Sequence, residues 1–453
     1  MEFHPAEIPS NILNHTTNNA QNATETILLV LPSFFYMIIA VLLSTLLLPL
    51  QSKTSIFFAE FVVIVIPIIL NVTILSPYVT NVVIISCFIL GMHLIISLVY
   101  IYCKRKKSIK APKSITSNKK DYITNVRATI NLISVIAILA VDFKVFPSKY
   151  SKTHLTGFSL MDVGVGLYVF ANAIVAPEVK GKKDSIQNSI RGSAILIIIG
   201  LLRLVSTKLT HYKVSSSEYG VHWNFFITLA FTKIFSSCIL NVINVKYIFL
   251  NASMLTFAHE TLLQMSFKQW VFQSDIRNNF LDANKEGIVS TIGYVALYLH
   301  SVYFAYVIKQ QEKNYRKASV KFFLSTAITL TLTFFCNQHF QVSRRLANAG
   351  YIFWILFIGI LMTWLFYLAE NAEKYLFRHK LRHYVCSPYL YEAVNYNGLV
   401  FFLVGNVLTG FVNLSTNTKL VSNANALLIL VVYMLINCGV VFGLYLKEWK
   451  LKF

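Results

Sequence analysis

The sequence predicts an all-α polytopic membrane protein of about 13 transmembrane helices, with a lumenal N-terminus and a cytosolic C-terminus. Three observations predict it. The 453 residues are 56% hydrophobic and only 13% charged, against about 25% charged in a soluble domain. Apolar runs long enough to cross a bilayer recur from Ile27 to Leu446, and mean hydropathy is +0.60. The basic residues fall in short loops between these runs, which is the pattern of positive-inside topology.

The expected spans are 27–48, 56–76, 80–102, 127–142, 160–176, 192–208, 222–241, 246–265, 288–308, 319–336, 347–369, 398–414 and 424–446. The first is too long for the apolar part of a signal peptide, and residues 1–26 before it contain no Lys or Arg. The fourth and fifth are short and carry Asp142 and Asp162. Pro67 and Gly166 are tolerable within spans when neighbouring helices cover the backbone. The organisation is then a lumenal tail (1–26), a single transmembrane bundle (27–446) with a basic cytosolic loop (103–126), and a cytosolic tail (447–453).

An odd span count puts the termini on opposite faces. With the N-terminus outside, most of the 40 Lys and Arg lie inside. They include Lys104–Lys107, Lys180, Lys182, Lys183, the stretch from Lys309 to Lys321, and Lys447, Lys450 and Lys452. Two glycosylation sequons, at Asn14 and Asn22, agree with a lumenal tail. The net charge of +21 is spread over loops rather than gathered into a groove, which argues against nucleic acid. The six cysteines form no CxxC and no zinc spacing, so neither a disulfide framework nor a structural zinc is expected. No internal repeat is visible.

Candidate chemistry gathers on the outside face. Asp142 ends an apolar run, where a carboxylate is costly unless paired or wet. Burial should raise its pKa and a nearby cation should pull it back. Lys152 lies beyond the Phe146-Pro147 turn, so Asp142 and Lys152 form a candidate general base with a charge partner; a helix-end ion pair is the alternative. Asp162 opens the next span, ahead of Gly164 and Gly166, and suits either a hydroxyl contact or a helix N-terminus. EYGVHWNFF (218–226) crowds Glu218, His222, Trp223 and Asn224 at a helix mouth. On a helix Glu218 and His222 would share a face. A metal there would need a third ligand such as His154 or His211, and nothing in the spacing fixes one. Arg203, inside a span, could pair with a carboxylate, clamp a phosphate or snorkel. Arg344 and Arg345, beside Asn348, are candidates for an anionic ligand such as a phosphate group, or a simple interfacial pair. Asn284, Asn406 and Asn413 suit hydroxyl recognition or helix–helix bonding. No GxSxG elbow occurs, so direct attack by a base-assisted hydroxyl is simpler than a covalent acyl-enzyme.

The segments AILAVDF with its following FP and Lys, LMDVGVG, EYGVHWNFF, DANKEGIVSTIGY, VSRRLAN and NVLTGFVN stand in this order over about 130–415. Together they resemble the PIG-W family of GPI-anchor inositol acyltransferases. The resemblance implies an endoplasmic-reticulum membrane enzyme. It would move a palmitoyl-type chain from acyl-CoA to the inositol 2-hydroxyl of glucosaminyl-phosphatidylinositol, with no metal and no permanently bound cofactor. It carries the catalytic roles to Asp142 and Lys152. Asp162, Glu218, His222, Trp223 and Asn224 would shape the headgroup pocket. The pattern departs at Ser148 and Lys149, where the family has two arginines, and at His154, where it has an acid. One charge lost on each side suggests that these positions pair with each other or tune the site, rather than performing chemistry. The competing readings are a lipid or solute transporter and a non-catalytic scaffold of the same pathway. A transporter should carry polar residues through the midplane, whereas here they gather at one mouth.

Overall fold

The structure, a computed structural model, describes residues 21–47, 52–104, 120–209, 216–273, 277–312, 314–377 and 387–451. The Asn14 sequon, most of the basic loop after Cys103, His211 and Cys386 lie outside them. Every regular element among the described residues is helical. A chain in lipid satisfies its backbone within each helix, so runs of this apolarity fold this way.

Twelve of the described helices are long and apolar enough to cross a membrane. Among the described residues the first already runs from Gln21, ahead of the expected start at Ile27, and includes Asn22. There the Thr26 hydroxyl donates to the Asn22 carbonyl at 2.8 Å. The run expected at 246–265 is helical, as Ile248–Leu262, a π-turn at Leu263–Phe267 and Lys268–Gln273. It falls outside the twelve because it carries Asn251, His259, Glu260, Gln264 and Lys268. A short helix, Tyr389–Tyr396, was not expected.

The chain divides into two compact units. One comprises residues up to Lys152, Gly157–Met161 and Phe366–Lys450. The helix Asp121–Ala140 lies at its centre, buried on all sides from Tyr122 to Ala140 apart from a few positions. Its apolar residues run all round the helix, as burial requires. Gly405 lets the Gly398–Ser415 helix come close, since a Cβ there would meet Val135 Cγ1 at 2.8 Å. Two buried carboxylates hold helix N-termini. Glu60 accepts from the backbone N–H groups of Tyr389 at 3.1 Å and Leu390 at 2.8 Å, and Glu370 from that of Tyr122 at 2.6 Å. Each satisfies amides that have no partner within their own helix.

The other unit comprises Thr153–Thr156, Asp162–Leu365 and Leu451–Phe453. Its central helix is Lys285–Gln311, whose Val295, Leu299 and Val302 form a core with Ala173, Leu240, Ile248 and Ala252. Two glycines set the approach of Leu160–Ala173 to Ala349–Phe377. A Cβ on Gly166 would lie 2.5 Å from Ile355, and one on Gly359 would lie 2.8 Å from Phe170.

Candidate active site

In the first unit, the Asp121–Ala140 helix closes on Val141, and Asp142 follows with its N–H bonded to the Leu139 carbonyl at 3.2 Å. The loop beyond is pinned by three buried aromatic side chains, Phe143, Phe146 and Tyr150. It tightens into a 3-10 turn at Ser148–Tyr150 and then presents Lys152. Asn413, in the last turn of Gly398–Ser415, donates from Nδ2 to Asp142 Oδ2 at 2.8 Å. Burial raises the pKa of Asp142, while the Asn413 bond and the charges of Lys152 and Lys419 act against that rise. The Oδ1 of Asn413 is itself buried and has no hydrogen-bond partner. Asp142 itself is only half-buried, so the carboxylate stands at an accessible edge with the Asn413 amide packed behind it. Sequence reasoning named Asp142, Lys152 and Asn413 but passed over Lys419, an exposed lysine in an ordinary-looking turn.

In the second unit, four of the sequence motifs meet around buried charge. Arg344 Nε donates to Asp162 Oδ1 at 2.7 Å, and both side chains are 3% exposed. Asp162 Oδ2 accepts from the Thr153 N–H at 3.1 Å and its hydroxyl at 2.7 Å. The hydroxyl of Tyr351 donates to the Asp162 carbonyl at 2.8 Å. Tyr219 bonds to Arg344, and burial pushes its pKa up to about 12 although Arg344 lowers it. Arg345 donates to the His154 carbonyl at 2.9 Å and lies 3.7 Å from Glu286. Glu286 is fully buried and receives both arms of Arg277, at 2.6 and 2.9 Å. The arginines expected to take an anionic ligand are therefore engaged with this chain's own carboxylates.

The EYGVHWNFF segment is a loop. It turns at 216–219, and the helix begins only at Phe225. Gly220 is the reason, with φ +120°, a conformation that side-chain-bearing residues avoid. A Cβ there would also lie 2.6 Å from the Asn284 backbone. Glu218 and His222 consequently do not share a helix face. The charge of Glu218 acts on Arg344 and Arg345, whereas the exposed His222 ring stacks over Phe280. Asn284 Oδ1 accepts from the His222 N–H at 2.8 Å. Trp223 donates to Thr228 at 2.9 Å and covers Gly287. Asn224 caps its helix, accepting from the N–H groups of Phe226 and Ile227. Asn348 does the same for Tyr351 at 3.2 Å. Arg203 is exposed near Tyr219, and Asn406 donates to Phe402 in its own helix at 2.8 Å. Lys149 pairs with Glu25 at 2.6 Å, which replaces the pairing of 148–149 with 154 that the sequence suggested. Arg277, Lys285 and Glu286 were missed. The signal was the charge pair Lys285-Glu286 at the head of an apolar span, an expensive place for either unless bonded.

The GWT1 family profile matches residues 12–444. The chain belongs to the GWT1 family. GPI-anchored wall transfer protein 1 of Schizosaccharomyces pombe is 36% identical over 338 residues, covering 72% of this chain and 71% of that protein. Two mammalian relatives bear the name glucosaminyl-phosphatidylinositol-acyltransferase PIGW. The Bos taurus protein is 31% identical over 460 residues, covering 89% of this chain and 90% of its own length. The Mus musculus protein is 30% identical over 458 residues, covering 88% and 89%. In this GWT1-family chain, the six motifs resolve into one amide-supported carboxylate in the first unit and one closed ion-pair cluster in the second.

Proposed function

We propose that the chain is a glucosaminyl-phosphatidylinositol acyltransferase of the endoplasmic-reticulum membrane, with Asp142 as its general base. The observation that carries the reading is the setting of Asp142. It is half-buried, its pKa is raised, and it has an amide on one side and two lysine charges within reach. The mammalian relatives named for this activity, matched along most of the chain, support the substrate.

In this reading a palmitoyl-type chain moves from acyl-CoA to the inositol 2-hydroxyl. A raised carboxylate pKa brings the base closer to working pH. Asp142 takes the hydroxyl proton as the inositol oxygen bonds to the thioester carbon. Asn413 holds the carboxylate in place through its Nδ2 bond. Lys152 offsets the negative charge that develops on the thioester oxygen. The C–S bond then breaks, and the departing thiolate takes the proton from Asp142 and leaves as free CoA. Lys152 and Lys419 also counter the phosphodiester, which is carried on the ring carbon next to the acceptor hydroxyl. If Ile248–Gln273 crosses the bilayer with the twelve apolar helices, the count is odd. The N-terminus is then lumenal, the C-terminus cytosolic, and Asp142 stands at the lumenal mouth.

The test is acyl transfer in membranes from cells lacking their own inositol acyltransferase. Supplied with this chain, labelled palmitoyl-CoA and glucosaminyl-phosphatidylinositol, they should yield an alkali-labile, phospholipase-C-resistant lipid. Correctly inserted protein that yields none would refute the assignment.

A further inference from the structure

The loop between Asp142 and Lys152 is tied to the first membrane helix at one place. Glu25, in the Gln21–Ser44 span, receives two bonds from the 3-10 turn at Ser148–Tyr150. Lys149 Nζ lies 2.6 Å from Glu25 Oε2, and the Tyr150 hydroxyl donates to the same oxygen at 3.0 Å. Gln21 donates to the other oxygen at 3.2 Å. Lys149 Nζ also sits 5.0 Å from the centroid of the Tyr150 ring, so carboxylate, ammonium and phenol form a closed triangle. Burial and the neighbouring Glu25 push the Tyr150 phenol up, so it stays protonated and donating at working pH. The ring of Tyr150 is 2% exposed and meets Phe146 edge-on. The backbone of the turn is closed by the Tyr150 N–H to the Pro147 carbonyl at 3.1 Å and the Ser151 N–H to the Ser148 carbonyl at 3.0 Å. Lys152 follows directly.

We infer that Glu25 is a positioning residue for the acyl transfer: through Lys149 and Tyr150 it fixes the turn that sets Lys152 against Asp142. This rests on the assignment of Asp142 and Lys152 as the catalytic pair. Glu25 touches neither of them. Its effect is to remove the freedom of the turn from which Lys152 leaves. Catalytic groups held within a fraction of an ångström gain rate through orientation, and small displacements lose it. An aromatic anchor alone would fix where Tyr150 sits. The charged bond adds the rotation of the turn, and with it the direction in which Lys152 leaves.

The experiment compares the wild-type chain with Glu25→Gln, Glu25→Ala and the exchange Glu25→Lys with Lys149→Glu. Acyl transfer is measured against pH, at matched amounts of folded protein. Glu25→Ala should lower kcat by about tenfold and leave KM for palmitoyl-CoA unchanged. Its acid limb should also move to higher pH. The sign follows from the groups facing Asp142, namely Lys152, Lys419 and the Asn413 amide, all of which lower its pKa. A misplaced Lys152 lowers it less, so the carboxylate protonates at a higher pH. Glu25→Gln, which keeps the Tyr150 bond but loses the charge, should fall between. The exchange should recover much of the loss. Wild-type kcat and pH profile in Glu25→Ala would overturn the inference, as would lost folded protein with unchanged kcat per folded molecule. A wild-type chain that transfers no acyl group would instead sink the functional assignment, and the inference with it.

Discussion

Two aspartates twenty residues apart occupy opposite kinds of site. Asp162 is buried with a guanidinium at 2.7 Å and a threonine donating from both its amide and its hydroxyl. Its charge is neutralised and both oxygens are engaged. Asp142 is half-buried, bonded by one neutral amide, with its lysines acting through charge and its pKa raised. The difference teaches what a reactive carboxylate requires. A fully satisfied one has its oxygens taken up by donors of its own chain. A partly satisfied one, pushed up by burial, gives and takes a proton at modest cost. From sequence both residues look alike, each an acid at the mouth of an apolar run.

The sharpest way to break this comparison is at Asp142 itself. Asp142→Ala should cut acyl transfer by roughly 10²–10⁴-fold, the usual contribution of a positioned base, with the detergent melting temperature nearly unchanged. Wild-type transfer in that variant would remove the base. At the other site the effect should fall on stability. Arg344→Ala leaves Asp162 buried without its charge partner, which costs roughly 3–5 kcal/mol. The readout is folded protein recovered in detergent, and the paired Arg344→Met with Asp162→Leu should recover more than the single variant does. Good recovery of Arg344→Ala would contradict the closed cluster.

A smaller effect should come from Gly220→Ala, where φ is +120° and the added carbon meets the Asn284 backbone. Strain of this kind costs about 1–3 kcal/mol, and thermal unfolding would register it; an unchanged melting point would show that the loop relaxes freely. Lys152→Ala should move the acid limb of the pH–rate profile upward, because the cation that lowers the Asp142 pKa is gone. A limb that stays in place would assign that lowering to Lys419 and Asn413 alone. The smallest change is expected at Asn406, whose amide bonds within its own helix. Asn406→Ala should alter stability by about 0.6 kcal/mol or less and leave turnover intact, and a large loss of turnover would bring Asn406 into the site.

Much of the fold was legible because lipid imposes length and apolarity on each span separately, and both can be counted along the chain. The Ile248–Gln273 helix was expected as a span and is helical, although His259 and Glu260, both buried, make it less apolar than the other twelve. Tyr389–Tyr396 was missed. It is only eight residues long, and its N-terminus is held by Glu60, 330 positions away from Leu390. For the candidate site, a pair close in sequence such as Asp142 and Lys152 could be proposed from the chain, whereas the distant partners could not. Asp142 and Asn413 stand 271 positions apart, and Asp162 and Arg344 stand 182 apart. No spacing rule links partners across such distances. Thus Arg344 could be read from sequence either as a candidate for an anionic ligand or as an interfacial charge, and its partner Asp162 could not be named. Gly220 was printed in the motif, yet its left-handed backbone, which keeps Glu218 and His222 off a common face, emerges only in three dimensions.

One measurement tests the division of labour most directly. Asp142→Asn and Asp162→Asn remove the same charge with the same change of shape, and kcat and melting temperature can be read from a single preparation of each. Chemistry at Asp142 and structure at Asp162 predict that Asp142→Asn keeps its melting temperature and loses turnover by at least about a hundredfold. They also predict that Asp162→Asn loses melting temperature, while the protein that stays folded turns over near the wild-type rate. The reverse pattern, with turnover lost at a thermally intact Asp162→Asn and retained in Asp142→Asn, would place the reactive carboxylate in the other unit.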